Sequence, residues 1–95
     1  MEFEWDKKKN QSNIKKHGID FNYAKIIFNS IRVTAIDKRK DYGEIRKISI
    51  GKIDSQICVV VYTEREDVIR IISARKANKR ERRRFYEFIN ETKTE

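Results

Sequence analysis

Four short segments rich in Val, Ile and Tyr follow one another through the middle of the chain, and they constrain its fold more than any other feature. β-branched and aromatic residues favour strands, and charged, Gly-containing or Asp-containing turns separate the segments. Connections this short favour antiparallel neighbours, so the sequence predicts a four-stranded antiparallel meander. The predicted strands are Arg32–Asp37, Ile45–Ile53, Gln56–Glu64 and Val68–Ala74.

Helical patterns flank these strands on both sides. Asp6 and Asp20 are placed to cap two N-terminal helices, and Gly18 can end the first of them in a left-handed conformation. We therefore expect one α+β domain over residues 1–95, in the order α-α-β-β-β-β-α. The predicted helices are Lys7–His17, Phe21–Asn29 and Lys76–Asn90, and Thr92–Glu95 is predicted to be a frayed tail.

The charge balance indicates a polyanionic partner. The net charge is +8 over 95 residues, which exceeds what a small domain needs for solubility. One Cys and one His make a zinc site unlikely to form, so no metal and no cofactor are predicted. The lone cysteine and the lack of a long apolar stretch favour a cytoplasmic protein without a membrane segment.

The third and fourth strands carry a candidate reactive surface. If Arg65–Asp67 forms the turn between them, Glu64 lies opposite Val68 and Tyr62 lies opposite Arg70. This register places Glu64, Tyr62 and Arg70 on one face, which Arg46 of the second strand could extend. A carboxylate among guanidinium groups suits phosphodiester cleavage, which needs a base and cations that stabilise charge on phosphorus. The alternative is an ordinary cross-strand salt bridge on a solvated face.

A second candidate is the basic segment that leads into the last helix. Positive side chains this close repel one another, which an anionic ligand would offset. Tyr86 lies three residues after Arg83, so we expect the two to be neighbours on one helix face. A solvated helix face is the alternative. The predicted RNA contacts are Lys79, Arg80, Arg82, Arg83, Arg84 and Tyr86, with Arg75 as a further catalytic candidate at the preceding strand end.

Two single residues are assigned more simply. His17 could exchange protons near neutral pH, but its place beside Gly18 is typical of a cation at a helix end. Cys58 alternates with apolar residues, so we expect it in the core.

Several of these segments, taken together and in order, resemble the BrnT toxin family. The combination is specific, although each piece alone is not. The matching stretches are Phe3–Asp6, Asn13–Phe21, Gly43–Arg46, Val59–Arg65 and Arg70–Ala77.

The resemblance implies a RelE-like fold and metal-independent RNA cleavage that arrests translation. It also implies a BrnA-type antitoxin with a ribbon-helix-helix domain, a toxin–antitoxin heterotetramer, and repression of the operon with operator DNA bound only through the antitoxin. The functional positions it suggests are Glu64, Arg70 and Arg82–Arg84, with Arg46 and Arg75 as additions.

Three functions remain open from the sequence. The first is an endoribonuclease, which the acid among the arginines favours. The second is a non-catalytic nucleic-acid-binding module, and the third is an interaction domain for an acidic protein. Toxicity on expression without a partner gene would distinguish the first from the second.

Overall fold

The computed structural model describes residues 1–93 as one α+β domain. The helices are α1 (Lys7–His17), α2 (Phe21–Ala24) and α3 (Lys79–Lys93), and a 3-10 helix (Lys25–Asn29) continues directly from α2. The strands are β1 (Glu2–Glu4), β2 (Arg32–Ile36), β3 (Lys47–Ile53), β4 (Gln56–Arg65) and β5 (Val68–Lys76).

The sheet has five strands in the order β1-β5-β4-β3-β2, so the prediction of four was wrong by one. The antiparallel meander of β2 to β5 is confirmed. The additional strand is β1, which pairs in parallel with the start of β5 through Phe3 and Ile69. Three residues are too few to show the period-two pattern of a strand, which is why the sequence indicated only an extended lead-in.

Helix boundaries follow the local signals. The Asp6 carboxylate accepts hydrogen bonds from the Lys8 and Lys9 N–H groups at 2.8 and 3.1 Å, and Gly18 ends α1 with φ +71°. Helix α3 begins three residues later than predicted and extends to Lys93, into the predicted tail. Thr94 and Glu95 lie outside the described residues.

One face of the sheet, here called the α2 face, packs against α2 and the 3-10 helix. Phe21 and Ile27 are fully buried there against Val60 and Tyr62 of β4. A Cβ on Gly51 of β3 would lie 2.9 Å from Cγ1 of Ile27, so this position requires glycine for the 3-10 helix to pack so closely. Cys58 is completely buried in the same core, as predicted, and burial raises the pKa of its thiol.

The other face, here called the α3 face, is only partly covered. Phe85 and Ile89 of α3 pack on Ile50 and Val59, near the end of the sheet that carries the β3–β4 turn. At the opposite end of this face, where β2 and β4 finish, no helix of residues 1–93 contributes to this core. Helices therefore pack on both faces of the sheet, each over its own apolar core.

Helix α1 closes an edge of the sheet. The buried side chain of Asn13 donates to the Ala74 carbonyl at 2.8 Å and accepts from the Ala74 N–H at 3.1 Å. An amide side chain therefore pairs with β5 as another strand would. This pairing protects the outer edge of β5 beyond the short β1.

None of the helices within residues 1–93 has the length and apolar content needed to cross a bilayer.

Candidate functional site

The register of the β4–β5 hairpin differs from the prediction by one residue. Only Glu66 and Asp67 form the turn, and Glu66 takes the positive φ of 55° that a tight hairpin requires. Glu64 therefore pairs with Ile69, and Arg70 pairs with Thr63. Because neighbouring residues of a strand point to opposite faces, Glu64 and Arg70 lie on opposite sides of the sheet. The predicted Glu64–Tyr62–Arg70 cluster was wrong for this reason.

A β-bulge in β5 then brings Arg70 and Arg75 to the same face. Residues five apart in a regular strand would point in opposite directions. The pairing shifts between Tyr62↔Ile71 and Val61↔Ser73, which leaves Ile72 as the additional residue. Arg75 consequently pairs with Val59 on the α3 face, where Arg70 also lies.

Polar side chains form a row across the uncovered end of the α3 face. Glu4 pairs with Arg70, and Arg70 pairs with Thr63. Continuing the β3 register by one residue places Arg46 opposite Thr63, and the Asp37 N–H donates to the Arg46 carbonyl at 2.7 Å. Adjacent strands are about 4.8 Å apart, so the backbones of Arg70 and Arg46 are separated by roughly 10 Å with Thr63 between them.

Two groups in this row have polar atoms without partners. Within the described residues, Thr63 Oγ1 and Arg46 Nε are buried and make no hydrogen bond. The Arg46 guanidinium instead lies 3.8 Å from the ring centroid of Tyr42, a cation–π contact that fixes its position. An unpaired buried donor next to an exposed surface is suited to an anion that supplies the missing acceptor.

Asp37 anchors the loop that carries Tyr42. Its buried carboxylate accepts two hydrogen bonds from the Arg39 guanidinium, both at 2.8 Å, and one from Tyr42 Oη at 3.2 Å. Arg39 holds the pKa of this carboxyl far below its usual range. Asp37 is therefore an ionised structural group and a poor proton acceptor at neutral pH.

Arg75 is positioned by the start of α3. The Asn78 and Glu81 side chains each accept a hydrogen bond from the other's backbone N–H at 2.9 Å, which is a capping box. Glu81 also accepts two hydrogen bonds from Arg75, both at 2.8 Å, which raises the pKa of Arg75. Burial of Arg75 opposes that rise in pKa, and repulsion from Arg39 opposes it further.

We call this end of the α3 face, on which no helix of residues 1–93 packs in that core, the arginine cleft; Thr63 at its centre is 1% exposed. Its floor contains Ile48 and Val61, and α3 rises along one side. Four guanidinium groups surround it, those of Arg39, Arg46, Arg70 and Arg75.

The α3 cations predicted to bind RNA divide between the two sides of the helix. Arg82 and Tyr86 line a pocket with Gln56 at the β3–β4 turn. The opposite side forms a groove of 520 Å³ with Val33 of β2, lined by Arg80, Arg83 and Arg84 among others. Tyr86 shares this pocket with Arg82, and it also lies one helical turn after Arg83. Lys79 is exposed in the first turn.

The α2 face holds the remaining predicted residues. Glu64 pairs with Lys47, with Oε1 and Nζ 3.0 Å apart. Tyr62 is 1% exposed, and its hydroxyl shares a 2.8 Å hydrogen bond with Ser49. This burial excludes Tyr62 from contact with a substrate on the described surface.

Sequence reasoning missed six contributors to the cleft, which are Glu4, Asp37, Arg39, Tyr42, Thr63 and Glu81. One of them had a readable signal, because Asn78 followed three residues later by Glu81 is a helix-start pattern. The others depend on strand pairings that the sequence does not specify.

Within residues 1–93, no three His, Cys, Asp or Glu side chains lie close enough together to hold a metal ion. The chemically active groups that the cleft offers are guanidinium, carboxylate and hydroxyl.

This fold and surface define a small basic α+β protein with an arginine-rich sheet face. A comparison with protein families assigns it more closely. Residues 5–81 match the family described as the ribonuclease toxin BrnT of type II toxin–antitoxin systems, and the chain belongs to that family. The matched region contains all four cleft arginines and ends at Glu81, before Arg82. No curated protein matches the chain.

Proposed function

We propose that the arginine cleft binds RNA and cleaves it without a metal ion. A base takes the proton of a ribose 2′-hydroxyl as its oxygen bonds to the adjacent phosphorus, and the P–O5′ bond breaks, with the leaving 5′-oxygen taking a proton from water. The observation that carries the proposal is the row of Glu4, Arg70, Thr63 and Arg46 on the open face of a ribonuclease toxin. Guanidinium groups on both sides of a phosphate can stabilise the negative charge that develops on its oxygens.

Arg70 and Arg46 are assigned to charge stabilisation, and Arg75 to phosphate positioning. Arg70 is held loosely, with Nη1 3.7 Å from Glu4 Oε1, so it can exchange this partner for a phosphate. Arg75 is fixed by Glu81, which gives it a defined orientation.

The base is assigned to Glu4 in place of Glu64. Glu4 lies beside Arg70 on the cleft face, and its side chain is 45% exposed. Glu64 would have to act through the sheet, because it lies on the α2 face beside Lys47. We retain Glu64 as the alternative base to be tested.

The α3 side chains named above are proposed to extend the RNA site. Arg80, Arg83 and Arg84 would bind phosphates on the β2 side of the helix, and Arg82 with Tyr86 on the other side. Within residues 1–93 none of these four arginines forms an ion pair.

The biological setting is proposed from the family. Cleavage by the free toxin would arrest translation in the cytoplasm. A BrnA-like ribbon-helix-helix antitoxin would neutralise it in a heterotetramer, and operator DNA would be bound only through that antitoxin. A RelE-like relationship of the fold belongs to the same proposal.

The test is cleavage of a defined RNA by the purified chain in EDTA. We expect Arg70→Ala and Arg46→Ala each to lower the cleavage rate by about 10²–10³-fold, as loss of one charge-stabilising donor does. Lys16→Ala, which removes an exposed cation from α1, is the control and should stay within about twofold.

The paired variants Glu4→Gln and Glu64→Gln decide which face carries the base. A large loss in Glu4→Gln with little change in Glu64→Gln supports the cleft assignment, and the reverse result refutes it. RNA that is bound in a salt-sensitive manner but never cleaved would instead favour a non-catalytic binding module.

A further inference from the structure

The two edges of the sheet are treated differently. On the β5 side, β1 and the Asn13 side chain pair with the outermost backbone groups. On the other side, β2 is the last strand, and no further strand of residues 1–93 pairs with it. Exposed edge strands pair readily with other chains, and proteins usually protect them with Pro, Lys or a bulge. The β2 segment has none of these, and its pairing with β3 is regular.

The backbone of β2 offers an ordered set of free groups. The Asp37 N–H donates to Arg46 of β3, and antiparallel hydrogen bonding alternates along a strand. By this alternation Val33 and Ala35 face β3, whereas Thr34 and Ile36 direct their N–H and carbonyl groups outward. These outward groups form the template that an added strand requires.

Apolar side chains surround the same edge. Ile36 is 51% exposed and Ile31, immediately before β2, is 65% exposed. Single exposed isoleucines are common, but two at one bare edge give an incoming strand apolar surface to bury.

The chemistry on the α3 side of this edge is predominantly cationic. The groove between β2 and α3 is lined by Val33 and by Arg80, Arg83 and Arg84, with Glu87 and Glu91 toward the end of the helix. A strand added to β2 would present alternate side chains to this groove. Carboxylates at those positions would meet the three arginines.

We propose that an acidic, extended segment of the antitoxin adds to β2 as a sixth strand. Its alternate residues would place carboxylates over Arg80, Arg83 and Arg84 and apolar side chains beside Ile36. A second copy of this chain fits poorly, because edge-to-edge pairing would bring two of these arginine groups together in a protein of net charge +8. Membership of a type II toxin–antitoxin family implies a protein antitoxin, and the way in which that antitoxin docks is our inference.

Such docking would also account for neutralisation. The added strand would lie over Arg80, Arg83 and Arg84, which the proposed function assigns to RNA binding, and would compete with RNA for these cations. This consequence alone rests on the proposed function, whereas the docking itself does not.

The test uses the toxin with its cognate antitoxin, free and in complex, and no arm depends on RNA cleavage. Hydrogen exchange of the Thr34 and Ile36 amides should slow at least tenfold in the complex. Thr34→Pro removes an N–H group that points outward, and edge strands tolerate proline at such positions. This variant should raise the Kd for the antitoxin at least tenfold. Thr34→Val is the matched control, since it also loses the 2.9 Å hydrogen bond between the Thr34 and Ser49 hydroxyls but keeps the N–H.

Equal Kd values for Thr34→Pro and Thr34→Val would overturn the proposal, as would unchanged exchange of both amides in the complex. If Thr34→Pro does not fold, the exchange measurement on the unaltered chain still decides. Light scattering that shows a stable dimer of the free chain, with these amides protected, would assign the edge to a second copy and refute antitoxin docking. Absence of ribonuclease activity would leave all of these results interpretable.

Discussion

Asp37 shows how one carboxylate stabilises the loop beside the cleft. Its side chain is completely buried and is held ionised by the Arg39 guanidinium, which lowers its pKa. Breaking this interaction would release Tyr42, which contacts both Asp37 and Arg46.

We predict a pH dependence of stability that Asp37→Asn removes in part. A carboxyl with a depressed pKa in the folded state stabilises fully above its unfolded pKa of about 3.9, and this contribution disappears as pH falls through the folded pKa. Urea unfolding between about pH 5 and pH 3 should therefore show a steeper loss of stability in the unaltered protein than in Asp37→Asn. Parallel pH curves for the two proteins would contradict the assignment.

At the scale of elements, α1 is attached to the sheet chiefly through Asn13. The helix has one aliphatic residue, Ile14, and that side chain is 40% exposed. Asn13 instead makes three hydrogen bonds, two to Ala74 and one to the Ile19 carbonyl at 2.9 Å.

Asn13→Ala should therefore lower the free energy of unfolding by about 2–3 kcal/mol, because it leaves buried backbone groups of β5 unpaired. Gln11→Ala, at an exposed position of the same helix, should change it by less than about 0.5 kcal/mol. Denaturant titration of both variants measures the difference. A loss in Asn13→Ala no larger than in Gln11→Ala would show that α1 is held by other contacts.

The sequence predicted elements well where a local signal exists. The bounds of α1 were correct because Asp6 and Gly18 mark its ends, and β2 to β5 were found within a few residues from their β-branched runs. Arg65 was wrongly placed in the turn, and the bulge at Ile72 and the parallel strand β1 were missed. Each of these features depends on tertiary pairing. A two-residue turn and a three-residue turn between β4 and β5 would have the same sequence pattern.

The candidate site was predicted only in part for the same reason. Arg70, Arg46 and Arg75 lie around one cleft, although the assumed register would have placed Arg75 and Arg70 on different faces. Two errors of register affected Glu64 and Arg75 in opposite ways, since the shorter turn separated Glu64 from Arg70 and the bulge restored Arg75 to its side.

At the scale of the whole molecule, positive charge is both abundant and unevenly placed. The net charge of +8 would attract RNA from any direction, whereas the α3 face gathers Arg46, Arg70 and Arg75 on one side of the sheet. Salt dependence separates a general attraction from a defined site.

We expect the logarithm of the RNA association constant to fall with the logarithm of salt concentration with a slope near −6, as about eight phosphate contacts to a single strand produce, four in the arginine cleft and four on α3. Arg70→Ala should reduce the magnitude of that slope by about 0.7, whereas Lys16→Ala should leave it unchanged. Fluorescence anisotropy at several salt concentrations measures both. Equal changes in the two variants would mean that binding is spread over the whole surface.

The parallel pairing of β1 with β5 has a consequence for when this protein becomes harmful. Residues 5–67 separate Glu4 from Val68, so β1 is synthesised long before the strand that receives it. Arg70 and Arg75 leave the ribosome later still, and the long interval makes closure of the sheet a late and non-local event. A partly synthesised chain therefore has no assembled cleft. With the cleft as the proposed ribonuclease site, RNA cleavage would begin only after β5 has been synthesised and has paired with β1.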